Sequence, residues 1–419
     1  MFGYLRCLRR SWRNLGFLLL GALSSATAEA QTVWRVDGNQ FSDVASAYAV
    51  ARPGDVILVS LPGTYLTSLS GKGVRILAAA PGTTLDVSSA FISGIPRGEQ
   101  LILSGFQLMC APGFFNFGCW FMSSPGSIVL EHCTGVAIAP YSGPTTLYFR
   151  DCDDVQLFDC IWLCRWNFCI QSIHCGCAAG SGTTAIDFDR CVATVVRCQA
   201  EGGPGGGCPW GCLQCGGQQV SYPGGAGIMA RSSRLSVHES RLAGGRPGGS
   251  SGGSAPGLWI SATELWVTSS TINEISGDSG SVVRYFGARP QIGGTPRSIA
   301  AGPSLPRFQA SLANASLTIR AQWANPGAPL YFGASLASGF APLDPYGAFG
   351  VLEMDYATSR SLLLGMGNFD ASGNYVASLP IPAVTMQALR FQDFRLQLLT
   401  LDTSGTIAAS GVDFLVMPG

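Results

Sequence analysis

The sequence predicts an all-β chain, a coil of stacked parallel strands in residues 31–292 followed by an antiparallel sandwich in 307–419. Three observations predict it. Among 419 residues there are 55 glycines and 24 prolines, while only 12% are charged and 47% are hydrophobic, a turn-rich composition with ample material for a core. A short apolar motif recurs at regular spacing. Beyond residue 306 that spacing is lost, but two-residue alternation persists. Equal numbers of bases and acids, 25 each, speak against a basic nucleic-acid binder, and the low charge speaks against a disordered polyelectrolyte.

The first element is a leader. Arg6, Arg9, Arg10 and Arg13 precede the apolar run 16–22, and small residues lead to Ala28 and Ala30. The run is too short for the ~20 residues of a bilayer span, so residues 1–30 read as a secretory signal peptide and no span is expected in the mature chain. Cleavage after Ala30 removes four arginines, Glu29 and Cys7, leaving 25 − 4 = 21 bases, 25 − 1 = 24 acids and 15 − 1 = 14 cysteines. An even cysteine count in an exported chain favours disulfides.

The repeat comes next. An apolar-x-apolar-x-x-small-x-apolar pattern places anchors at Phe106, Cys133, Cys160, Cys198, Ser240 and Ser270, with a fainter copy ending at Ala79. The separations are 27, 27, 27, 38, 42 and 30 residues. An upstream series in the same rungs has anchors at Cys152, Cys191, Ser233 and Thr263. Short strands joined by bends of small residues suit a coil in which alternate side chains point inward and each rung covers the next. Ahead of it, Phe41, Val44, Ala45, Tyr48 and Ala49 form an apolar stripe at helical spacing that stops at Pro53-Gly54.

That helix, followed by PGDVILVSLPGTY from Pro53 to Tyr65, resembles the beginning of right-handed parallel β-helix proteins of the pectate-lyase-like superfamily. The resemblance spans residues 32–292 and implies a right-handed parallel β-helix with an N-terminal capping helix. It implies no activity, because the fold hosts lyases, hydrolases, esterases, adhesins and inert stalks.

Two accounts compete for the charges. Asp151, Asp153, Asp154 and Arg190 form a cluster that could bind Ca²⁺ and, as in polysaccharide lyases of that superfamily, abstract a proton from an acidic sugar. In the repeat register, however, Arg150, Asp189 and Arg231 share a column, as do Asp159, Arg197 and Glu239, and Asp151 stacks on Arg190. Rungs lie ~4.8 Å apart, so these are ladders of alternating sign, and structural pairing is the favoured account. Asp153 and Asp154 fall in the expected bend. His132 and His238 take outward strand positions and read as surface residues.

Cysteines divide similarly. Those that interchange with Ser or Thr in the repeat (133, 152, 160, 191 and 198) read as bend residues. The remaining nine, Cys110, Cys119, Cys164, Cys169, Cys175, Cys177, Cys208, Cys212 and Cys215, sit in or beside inserts at 161–183 and 201–225 and an aromatic loop at 111–118, and are candidates for disulfides. A Zn²⁺ site built from His174 and nearby thiols is the alternative, disfavoured by an oxidising compartment. Both inserts leave the same corner and form one knob. Its aromatics Trp120, Trp162, Trp166, Trp210 and Tyr222 are candidates for stacking on sugar rings, or for a small core of the knob itself.

A glycine-rich stretch at 244–257 returns to that corner, and 293–306 reads as a linker. The segment from Leu362 onward, with LPIP, RFQDFRLQLLTLDTSGTIAAS and VDFLVM, looks like a small β module at the ends of many bacterial exported proteins. Asp370–Asn374 and 402–405 read as hairpin turns. The expected function is a secreted or cell-surface scaffold that binds polysaccharide or a surface glycan without catalysis, with no cofactor and no metal. The alternative is a polysaccharide lyase or glycoside hydrolase acting on acidic polysaccharide, with Ca²⁺ in the lyase case.

Overall fold

Residues 31–419 are described by the computed structural model, except 67, 88–89, 111–118, 138–144, 165–181, 206–222, 249–253, 336–337, 344–350, 355–360, 383–392, 402–405 and 417–419. The chain divides into two units, Thr32–Gly302 and one that contains Pro303–Gly419. The leader expected over 1–30 lies outside the described residues.

In the first unit the chain coils, laying down three columns of parallel strands. The first column begins with Val33–Val36, Val56–Val59, Arg75–Ala78 and Gln100–Ser104, and ends with Glu264–Thr268, Val282–Phe286 and Ser298–Gly302. The second contains Phe106–Cys110, Thr134–Ala137, Ile161–Leu163, Gln199–Glu201 and Arg241–Ala243. Thr184–Asp189, Ile228–Arg231, Leu258–Ser261 and Ile275–Gly277 belong to the third. Two long strands, Cys119–Glu131 and Thr145–Phe158, pass from the third column into the first. This is a parallel β-helix, and the repeat anchors are vertical neighbours, with Thr134 beside Ile161 and Ile161 beside Gln199. The coil also runs past Ile292 to Gly302, so Ser298–Gly302 is a last rung where a linker was expected.

The bends explain why the anchors are small. At two of the three corners one residue adopts a left-handed backbone. His132, Asp159, Arg197, Glu239 and Ser269 do so between the first and second columns, and Ser123, Asp151, Arg190, Ser232 and Ala262 between the third and first. Such a backbone costs a non-glycine residue on the order of 1–3 kcal/mol. Here its amide continues the ladder around the corner, as Asp159 N donates to Val196 O at 3.0 Å and Arg197 N to His238 O at 3.0 Å. The following Cys, Ser or Thr then reaches back to a carbonyl two residues earlier: Cys160 Sγ to Phe158 O at 3.2 Å, Ser240 Oγ to His238 O at 2.7 Å. It also accepts the amide of the rung before, with Cys198 N to Ser240 Oγ at 3.0 Å. Thiol and hydroxyl interchange because both can donate to that carbonyl and accept that amide.

Side chains inside the coil are apolar and stack by type. Phe121, Phe149 and Phe188 form a column with centroids 4.6 and 5.3 Å apart and planes inclined by 12° and 22°. At the open beginning, the helix Val44–Val50 is capped by Asp43, whose side chain accepts from Ser46 N. It buries Val44, Ala47 and Tyr48, whereas Ala45 and Ala49 of the expected stripe face away from the core. The helix is shorter than the stripe, which sets the buried face by i, i+3, i+4 from Val44. Asp55 of the PGDVILV segment ties this end together, accepting from Thr32 N, Trp34 Nε1 and Arg52 N at 2.8–3.0 Å. Burial opposes its ionisation, but these donors outweigh it and hold its pKa below the usual carboxylate range.

Asp278 plays the corresponding part near the far end. Its carboxylate accepts from Ser261 Oγ at 2.5 Å, Ala262 N at 3.0 Å, Ser281 Oγ at 2.8 Å and Gly280 N at 3.0 Å, and these donors bring its pKa down to about 2. A pKa lower in the folded than the unfolded chain (~3.9) adds stability above pH ~4 that disappears as pH falls through about 2. Asp278→Asn should therefore cost ~1–2 kcal/mol at pH 7 and flatten the acid limb of a Tm-against-pH curve between those values. An unchanged acid limb would refute this.

The second unit is antiparallel. Arg307–Ala313, Ser316–Gln322 and Asn374–Pro380 form a three-stranded sheet, while Ser361–Asn368, Pro329–Ser335, Asp393–Leu401 and Ile407–Val416 form a four-stranded one. Buried Asp413 of the second sheet accepts from Ala310 N of the first, a sandwich-type tie. The turn at Asp370 is not a hairpin. Its flanking strands lie in different sheets, and Asp370 Oδ1 accepts Ser372 N and Asn374 N at 2.8 and 2.9 Å to make the crossover. The expected turn at 402–405 lies outside the described residues, between two strands that do pair as a hairpin.

Candidate functional site

The segments 111–118, 138–144, 165–181, 206–222 and 249–253, on five successive rungs, each connect a second-column strand to a third-column strand. At the base of the last three, glycine backbones interlock. Gly203 N donates to Thr183 O, Gly225 N to Gly203 O and Gly245 N to Gly225 O at 2.7–2.8 Å. A Cβ on Gly225 would lie 2.1 Å from Thr183 O, so only glycine lets the legs of neighbouring loops approach this closely.

Trp166, Trp210, Tyr222, Cys169, Cys175, Cys177, Cys208, Cys212, Cys215 and His174 fall within those segments, outside the described residues. The other members of the expected knob are coil residues. Trp162 points into the core, 1% exposed, lying over Gly135 of the preceding rung, and is no sugar platform. Strand alternation puts it there, since its neighbour Ile161 is the exposed one at 40%. Cys119 is an inward third-column residue in register with Leu147, and Cys164 is buried with its Sγ 3.2 Å from Thr146 Oγ1. Cys164 is a free thiol. Burial pushes the Cys164 thiol up to about 11 and that of Cys160 well above the ordinary range, which suppresses thiolate chemistry. Cys110 ends its strand.

The acidic cluster is tied up by partners. Asp151 receives Arg190 through two bonds, Nε at 2.6 Å and Nη2 at 2.9 Å, and this guanidinium lowers the carboxylate's pKa. Arg150 lies 3.5 Å from Asp151 and 3.6 Å from Asp189. Asp153 faces Arg97 at 3.4 Å, and Asp154 accepts from Ser127 Oγ and from Gln156 Nε2 at 2.8 Å. Asp153 and Asp154 sit within the strand Thr145–Phe158, not in a bend, because a single left-handed residue, Asp151, makes the whole turn. The expected columns of alternating sign are present, with Arg150 opposite Asp189 and Asp189 opposite Arg231, although Arg231 reaches Asp187 at 2.9 Å. In the other column Arg197 grips Asp159 with bonds of 2.8 and 2.7 Å. Arg190 takes both oxygens of Asp151, and no group of three or more candidate metal ligands converges among the described residues.

His132 is exposed beside Glu131, which raises its pKa through a hydrogen bond. His238, by contrast, is 2% exposed, stacked between Val196 and Thr268 of adjacent rungs. The outward residues of the first column here, Gln156, Thr194, Ser236 and Thr268 among them, are buried, so simple in-out alternation does not mark its surface.

A different outward row reaches the surface, except at Asp187, which is buried. In the third column Phe91, Trp120, Tyr148, Asp187, Met229 and Trp259 are consecutive register partners. Between them along each strand come fully buried Phe121, Phe149, Phe188 and Ile260. Phe91 is 40% exposed, and Trp120, Tyr148, Met229 and Trp259 are partly exposed. Trp120 and Tyr148 meet edge to face at 5.0 Å, and Tyr148 Oη donates to Asp189 at 3.2 Å. Of the row's partly exposed members, only Trp120 is a candidate in the sequence.

No known family model matches the chain, and no curated protein does. Among solved structures, full-length tailspike protein 2 from Escherichia coli O157:H7 bacteriophage CAB120 is similar at 9% identity over 96% of this chain and 66% of its own, with a TM-score of 0.24. The tailspike protein 2 enzymatically active domain of Bacteriophage CBA120 is similar at 10% identity over 94% and 73%, TM-score 0.18. A DUF3823 family protein from Bacteroides ovatus ATCC 8483 is 14% identical over 31% and 63%, TM-score 0.18. The chain thus spans under two thirds of the DUF3823 protein and about two thirds of the full-length tailspike. At these scores the fold is read from strand register alone. No helix among the described residues is long and apolar enough to cross a membrane.

Proposed function

We propose that this chain is an exported, non-catalytic scaffold at the cell surface or outside the cell, a right-handed β-helix of the pectate-lyase-like kind that presents binding surfaces to glycans. One observation carries the reading: Asp151, Asp153 and Asp154, the carboxylates that catalysis would need, are each engaged by an arginine or by hydrogen-bond donors. A general acid or base needs a proton-accepting position facing substrate, and a retaining or inverting pair needs two carboxyls ~5–9.5 Å apart across an open groove. Paired charges on a sheet face support a passive surface instead. Right-handedness follows from the near-universal hand of parallel crossovers. Export rests on the leader, and the C-terminal unit serves retention, sorting or adhesion.

A degradation screen of mature protein against neutral and acidic polysaccharides, with Ca²⁺ and with EDTA, tests this. No new reducing ends and no unsaturated products are expected. Depolymerisation that disappears in Asp151→Asn or Arg190→Gln would overturn the reading in favour of the lyase or hydrolase.

A further inference from the structure

We propose that the exposed third-column row, Phe91, Trp120, Tyr148, Met229 and Trp259, is a binding strip for an extended, uncharged polysaccharide lying along the coil axis. The inference rests on the scaffold reading and adds to it a site and a ligand class. Phe91 and Trp259 are five register steps apart, which at the strand spacing makes a strip of about 24 Å. Four of its members are carbon-rich and flat, the fifth, Met229, is pliable, and none is fully buried. Apolar C–H faces of pyranose rings suit aromatic surfaces, and the rungs of Phe91, Trp120 and Tyr148, then those of Met229 and Trp259 beyond the Asp187 rung, give a two-part track for an extended polymer. The scaffold beneath is rigid, because the residues alternating with the row are the stacked core phenylalanines, so little ordering cost falls on the protein when a ligand binds.

Charge decides the ligand class. Within and alongside the row stand three arginines, Arg150, Arg190 and Arg231, and three aspartates, Asp187 in the row itself and Asp151 and Asp189 beside it, paired at 2.6–3.6 Å. The sum is zero. A uronate-bearing chain would find each guanidinium already committed to a carboxylate and would meet three fixed negative charges, whereas neutral hydroxyls can both donate to these aspartates and accept from these arginines.

Affinity electrophoresis of the full mature protein in gels containing a neutral β-glucan, a galactomannan, polygalacturonate or alginate tests the proposal, beside Trp120→Ala, Trp259→Ala and the conservative Trp120→Phe. Retardation is expected in a neutral gel, weakened at least about tenfold in each alanine variant and largely kept in Trp120→Phe. Thermal unfolding confirms that the variants fold. Binding confined to the acidic gels, binding indifferent to both alanine variants, or no binding in any gel would each overturn the strip. Strip-dependent binding accompanied by depolymerisation would instead retain the strip and sink the scaffold reading.

Discussion

Gly135→Ala is expected to destabilise the coil by at least ~3 kcal/mol, the upper end of what overpacking a core costs. A Cβ at this position would lie 1.7 Å from Cε3 and 1.8 Å from Cζ3 of Trp162. The indole has nowhere to retreat, because Trp162 is 1% exposed and closed in along its row by Ala200 of the next rung. Either the rungs separate or Trp162 leaves the core, and both disrupt the small-over-large packing that joins them. Gly135→Ala combined with Trp162→Leu should recover much of the loss, since the smaller side chain vacates the clashing volume. Urea unfolding of the two single variants and the double variant checks this. Equal stability of Gly135→Ala and the parent would show that Trp162 does not lie over Gly135.

Phe149→Ala is expected to cost ~3–5 kcal/mol, the range for aromatic truncation in a packed interior. Phe149 is the middle ring of the stack with Phe121 and Phe188, so its loss opens a cavity and strands two partners at once. In a coil each rung is covered only by its neighbours, and a gap in mid-stack weakens two interfaces. Phe149→Leu, which refills most of the volume, should cost less than half as much. Comparable losses for Ala and Leu in thermal or denaturant unfolding would argue against an uninterrupted stack.

Several elements were legible in the sequence for definite reasons. The equal separations of Phe106, Cys133 and Cys160 marked rungs, because a coil cannot change circumference between turns without a loop to absorb the difference. Interchange of Cys191 and Cys198 with Ser233 and Ser240 marked bends, because the bend selects a small side chain that can donate to a carbonyl and accept an amide. The Asp151–Arg190 and Asp159–Arg197 pairs followed from the same register. Less legible was Trp162, which sits beside an insert in sequence and was grouped with its aromatics, although one step of strand alternation turns it inward. Asp153 and Asp154 misled in the same way, since a bend that needs one residue leaves no mark of its length.

By itself, then, the chain's sequence determined the winding, the corner from which loops leave and the pairing of charges, because these depend on spacing within a strand and on repeat length. Only the tertiary structure decided which thiols and indoles are interior, that the coil continues through Ser298–Gly302, and that Phe91, Trp120, Tyr148, Met229 and Trp259 share one exposed row. Those five residues are separated by stretches of sequence of unequal length. Their alignment is fixed by backbone hydrogen bonds between rungs, a vertical relation that linear spacing does not carry.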